Sequence, residues 1–102
     1  MIDILKSLIK KISKQFQPYK IYLFGSQAKG TAGAGSDIDL LIIADLPGPK
    51  HQRNLMISRL FPDRRFSLDV LVYNQQEFEE EVQIPSTIGY TVAREGKLLY
   101  AR

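Results

Sequence analysis

The chain has 102 residues and no cysteine, which excludes a disulfide framework, a zinc ribbon and a thiol nucleophile. Any metal it binds is then expected to be held by oxygen. The same absence suits a reducing cytoplasm, the expected location. The single histidine, His51, lies beside the Pro47-Gly48-Pro49 connector and reads as a solvated residue at a helix start rather than as a base. No run approaches the roughly 18 apolar residues of a membrane span. Asp3, Lys6, Lys10 and Lys11 interrupt the N-terminal apolar residues too early for a signal peptide, so no membrane partner is expected. There is no repeat, low-complexity tract or dividing linker, and the expectation is one domain over residues 1–102, large enough for a single core and little more.

Apolar residues make up 44% of the chain and charged residues 25%, the ordinary range of folded soluble domains rather than of disorder. The net charge of +3 is mildly basic, with Lys6, Lys10, Lys11 and Lys14 together on the first segment. No aromatic residues interleave those lysines as single-strand binders require. They read as a solvated helix face, and direct nucleic-acid binding is not expected. Glu79-Glu80-Glu81 likewise reads as an exposed acidic helix face.

Leu5, Leu8, Ile9, Ile12 and Phe16 recur at helical spacing, predicting an amphipathic helix over about 3–16 that Pro18 ends. Lys20 to Phe24 is rich in strand formers and stops at Gly25. Residues 26–36, with three glycines, read as a short helical turn and a loop. A second strand is predicted from about Ser36 to Ala44, a helix from about Lys50 to Phe61, and a third strand from Phe66 to Tyr73. Asn74 can cap a helix through Phe78 and Val82, and Pro85-Ser86 opens another through Ile88 and Val92, ended near Gly96. Strands two and three are apolar on both faces, which predicts an α/β arrangement with the sheet covered by helices on at least one side.

The second strand carries the chemistry. Asp37 and Asp39 sit two residues apart in an otherwise apolar run, so they point to one face with Cα atoms roughly 6.6 Å apart. Two like charges there repel and lose hydration unless something neutralises them, and Mg²⁺ shared between carboxylates and phosphates does so. Asp69 interrupts the third strand in the same way; alone it would read as a strand-end residue capping a turn. If the two strands are neighbours, three carboxylates and substrate phosphates can complete two Mg²⁺ sites. Gly25-Ser26 supplies a sharp turn whose backbone amides and Ser26 hydroxyl can meet a terminal phosphate. Lys29 follows one helical turn later, either to neutralise phosphate charge or as a solvated lysine.

Gly25-Ser26, ten intervening residues and then Asp37-Ile38-Asp39 resembles the signature of the DNA polymerase β-like nucleotidyltransferase superfamily. More narrowly, Phe24 to Ala32 and Ser36 to Leu41 resemble the minimal nucleotidyltransferases, small prokaryotic proteins often paired with a HEPN-domain toxin. The likeness runs from the leading helix to the Ile88 to Tyr100 segment. It implies a short mixed β-sheet flanked by helices. It also implies that Asp37 and Asp39 bind both metals, Asp69 binds the catalytic metal, and Gly25 and Ser26 hold the triphosphate. The implied reaction moves a nucleoside monophosphate, commonly AMP from ATP, to a hydroxyl with release of pyrophosphate. For antitoxin members the acceptor is a tyrosine of the cognate toxin. Gln27 and Lys29 stand where arginines are common in the family, and lysine offers a point charge without the bidentate fork.

The leading expectation is a Mg²⁺-dependent nucleotidyltransferase that uses ATP or another nucleoside triphosphate and acts as an antitoxin on a HEPN toxin. The alternatives are a non-catalytic antitoxin that neutralises by binding, and an antibiotic-type small-molecule transferase that needs a second subunit. A core this small has little left to enclose an acceptor, which points to a protein acceptor or a pocket completed by another subunit.

Overall fold

The computed structural model describes residues 2–25, 38–62 and 67–102. Helix α1 spans Ile2–Phe16 and packs Leu8 and Ile12 into the core with Leu5, Ile9 and Phe16 beside them, the predicted stripe. It stops because Gln17 takes a left-handed φ of 50° and Pro18 cannot continue it. Lys6, Lys10 and Lys14 are exposed on the opposite face.

Strand β1 (Lys20–Phe24) follows, then β2 (Ile38–Ile43), helix α2 (Lys50–Ser58) and β3 (Leu68–Tyr73). Helices α3 (Gln75–Glu81) and α4 (Ile88–Glu95) and strand β4 (Lys97–Ala101) complete the described elements. The strands form one mixed sheet in the order β3-β2-β1-β4. β2 and β3 are parallel, joined through α2, while β1 runs antiparallel to both β2 and β4.

Both faces of the sheet are covered, as the two-sided apolar strands require. On one face Ile38, Leu40 and Ile42 of β2 and Leu68, Val70 and Val72 of β3 meet α1 and Ile57 of α2. On the other, Leu41, Ile43 and Tyr73 pack with Val92 of α4, flanked by Tyr22, Phe24 and Phe78. α3 is anchored there by Phe78, whose ring stacks on Tyr22 at 5.7 Å between centroids.

Helix starts carry the expected caps, with one shift. Asn74 forms a full capping box with Glu77. For α4 the cap is Thr87 rather than Pro85 or Ser86, its hydroxyl accepting from the Tyr90 amide at 3.2 Å. α2 ends at Ser58, short of Phe61, and Leu98 to Tyr100 belong to a strand the periodicity did not reveal. Among the described residues no helix is long and apolar enough to cross a membrane.

Candidate active site

Five of the six residues of β2 are buried; the exception is Asp39, half-buried near the strand's N-terminal end. A carboxylate survives in such a strand only where it keeps access to water or a counter-charge. In register, Asp39 pairs with Asp69 of β3 on one side and with Phe24 of β1 on the other. Directly opposed residues of neighbouring strands point to the same face, with strands about 4.8 Å apart. Asp69, Asp39 and Phe24 therefore form a row across one end of the sheet, on the face that also carries Leu41 and Ile43. Asp69 is exposed, so the row opens to solvent on the β3 side.

Gly25 closes the row from above. Its φ of +74° lies in the left-handed region that side chains disfavour. A Cβ built on Gly25 would collide with Oδ2 of Asp39. Gly25 thus presses its backbone onto the Asp39 carboxylate, a proximity no residue other than glycine permits.

The predicted site residues divide accordingly. Gly25, Asp39 and Asp69 are brought together by the sheet. Ser26, Lys29 and Asp37 lie outside the described residues. The donor chemistry fits a hard divalent cation: two carboxylates, on adjacent strands, in register and open to water. Neither histidine nor cysteine contributes, and His51 is exposed on α2.

Two further features had no local signal in the sequence. A recess of about 310 Å³ runs from Phe24 to Ile88, Thr91 and Val92 of α4, rimmed by Ser86 and Thr87. A smaller one of about 140 Å³ touches Gly25 itself, with Phe24, Thr91, Glu95 and Gly96 around it.

The second is a polar network that fixes α3 and α4. Arg53, 6% exposed, donates from both terminal nitrogens to Glu77, at 2.9 and 3.2 Å. Hydrogen bonds from Arg53 hold the Glu77 carboxyl below its ordinary pKa against an opposing effect of burial. Glu81 is not the solvated residue its glutamate run suggested. It accepts from the Gly89 amide at 2.9 Å and lies 3.6 Å from Lys50 Nζ. Burial, with Glu81 second, pushes the Tyr73 phenol up to about 12.

The chain matches a family described as nucleotidyltransferase domain over residues 5–94. No curated protein matches it. Among solved structures it is similar to a candidate nucleotidyltransferase from Sulfolobus solfataricus, with a TM-score of 0.70 and 24% identity, covering 100% of this chain and 81% of that one. It is also similar to a chain from a toxin-antitoxin structure with AMP-PNP, with a TM-score of 0.62 and 22% identity over 95% of this chain and 73% of the other. These likenesses agree with the mixed sheet and flanking helices found here. With about nine-tenths of its length inside the family match, the chain belongs to the nucleotidyltransferase domain family.

Proposed function

We propose that this chain is a Mg²⁺-dependent minimal nucleotidyltransferase that transfers AMP from ATP to a tyrosine hydroxyl of a cognate HEPN-domain toxin and so acts as its antitoxin. The observation that carries the reading is the row of Asp69 and Asp39 in register on parallel strands with the Gly25 turn against Asp39. The toxin-antitoxin chain with AMP-PNP among its structural neighbours supports the antitoxin part.

In this reading Asp37, Asp39 and Asp69 would hold two Mg²⁺ ions, with Gly25 and Ser26 toward the triphosphate and Lys29 near its charge. The metals supply charge neutralisation and a more acidic acceptor hydroxyl. The acceptor oxygen forms a bond to the α-phosphorus as the bond to pyrophosphate breaks, and the hydroxyl proton goes to solvent. The protein's part is positioning: the sheet sets Asp39 level with Asp69, and Gly25 lets the backbone come close beside them.

Incubation with α-labelled ATP, Mg²⁺ and the co-encoded toxin is expected to label a toxin tyrosine, and Asp39→Asn to abolish the label. Equal labelling by the variant contradicts the site. Full neutralisation of the toxin by the variant, without label, would instead make the chain an antitoxin that works by occlusion.

A further inference from the structure

We infer that the recess between Phe24 and α4 is the seat of the nucleobase of the incoming nucleoside triphosphate, with Phe24 as its aromatic floor and Ile88 and Thr91 as its outer wall. This rests on the nucleotidyl-transfer reading and goes beyond it by assigning residues that the aspartate and glycine motifs do not include.

Three arguments point to an aromatic ring there. The first is continuity: Phe24 is the register partner of Asp39 and precedes Gly25, so the recess begins one strand away from the carboxylate, about 4.5–5.5 Å between Cα atoms. A ribose bridges a separation of that order. The second is shape and lining. About 310 Å³ bounded by Phe24, Ile88 and Val92, with the hydroxyl-bearing Ser86, Thr87 and Thr91, has room for a purine. Ile88 is 47% exposed, an apolar side chain at the mouth that a bound ring would cover.

The third is direction. In-line transfer sets the attacking and leaving oxygens on opposite sides of the phosphorus. With pyrophosphate at the Gly25 turn on β1, the acceptor must approach from the Asp69 side, across β2. The recess lies on the β1 side, so the acceptor does not occupy it. The triphosphate belongs at Gly25 itself, beside the smaller recess, which leaves the larger one to the nucleoside.

The lining also sets how strongly bases are told apart. The Thr87 hydroxyl is committed to the carbonyls of Glu81 and Ile84 at 2.7 and 2.8 Å, and the Thr91 hydroxyl makes only a 3.4 Å bond to the Thr87 carbonyl. Stacking on Phe24 then outweighs hydrogen-bond readout, and purines should bind better than pyrimidines through ring area alone.

The test compares Mg·ATP with Mg·tripolyphosphate, which lacks the base, by calorimetric titration of the full chain. The unsubstituted chain should bind ATP at least about tenfold more tightly than tripolyphosphate, the scale of one aromatic stack. Ile88→Trp, at an exposed position that lines the larger recess but not the one at Gly25, fills the recess and should lower ATP affinity to the tripolyphosphate level while leaving tripolyphosphate unchanged. Ser86→Trp, also at an exposed position of that lining, should shift it the same way and serves if the first variant fails to fold. Unchanged ATP affinity in both variants, or an equal fall for both ligands, overturns the inference. If the unsubstituted chain binds neither ligand with Mg²⁺, the nucleotidyl-transfer reading itself fails, a distinguishable result.

Discussion

Gly25 shows how one missing Cβ shapes the site. Gly25→Ala adds both a left-handed φ penalty of about 1–2 kcal/mol and a collision with the Asp39 carboxylate. Displacing that carboxylate by about 1 Å is expected to lower nucleotidyl transfer by about 100-fold, measured as labelled product, with a far smaller effect on the melting temperature. Arg53 and Glu77 make a second, asymmetric case. Glu77→Ala strands a buried guanidinium and breaks the α3 capping box, costing about 3 kcal/mol or more. Arg53→Met leaves a carboxylate that is 29% exposed and can rehydrate, so about 1 kcal/mol is expected in urea denaturation. Because the folded state lowers the Glu77 pKa from 4.5, its contribution is present above pH 4.5 and is lost as pH falls through the lower folded value. Glu77→Gln should flatten stability over that acid range. Asp39, Asp69 and Gly25 were legible in the sequence because each breaks a local pattern: two charges in apolar strands and a glycine at a strand end. Arg53 and Glu77, 24 residues apart, break none. Glu81 hid inside a run of three glutamates, and only the arrival of α4 turns it inward.

At the scale of elements, the clasp between α3 and α4 positions the wall of the recess. Glu81 holds the first turn of α4 through the Gly89 amide, and a Cβ on Gly89 would lie 2.6 Å from the Glu81 Cβ. Gly89→Ala is expected to cost about 1–3 kcal/mol by overpacking, seen in thermal unfolding. The raised Tyr73 phenol works in the same clasp. Unfolded tyrosine ionises near 10 and folded Tyr73 near 12, so its contribution is intact below pH 10 and is lost as pH rises toward 12. Ultraviolet titration of Tyr73→Phe against the parent should show the late-ionising phenol disappear. Elements with strong periodicity or caps were readable: α1 by its apolar stripe, β1 by its strand formers and terminal glycine, α3 by Asn74. β4 was not, because Leu98-Leu99-Tyr100 does not alternate and is at most half-buried. It is an edge strand whose identity comes from pairing with β1.

For the whole molecule, the sheet order decides what the carboxylates can do. Sequence alone left open whether the second and third strands were neighbours; the parallel pairing of β2 with β3 brings Asp39 level with Asp69, and antiparallel β1 returns the glycine turn to the same end. The α4 recess was illegible because its lining comes from β1 and from residues more than sixty positions later, joined only by the fold. The central claim, that these carboxylates and the turn hold divalent metal with a triphosphate, is tested most directly by counting Mn²⁺ bound in the presence of a non-hydrolysable ATP analogue, using electron paramagnetic resonance. The account predicts about two ions per chain, with binding lost in Asp39→Asn and reduced in Asp69→Asn. No bound Mn²⁺, or the same binding in both variants, would contradict it.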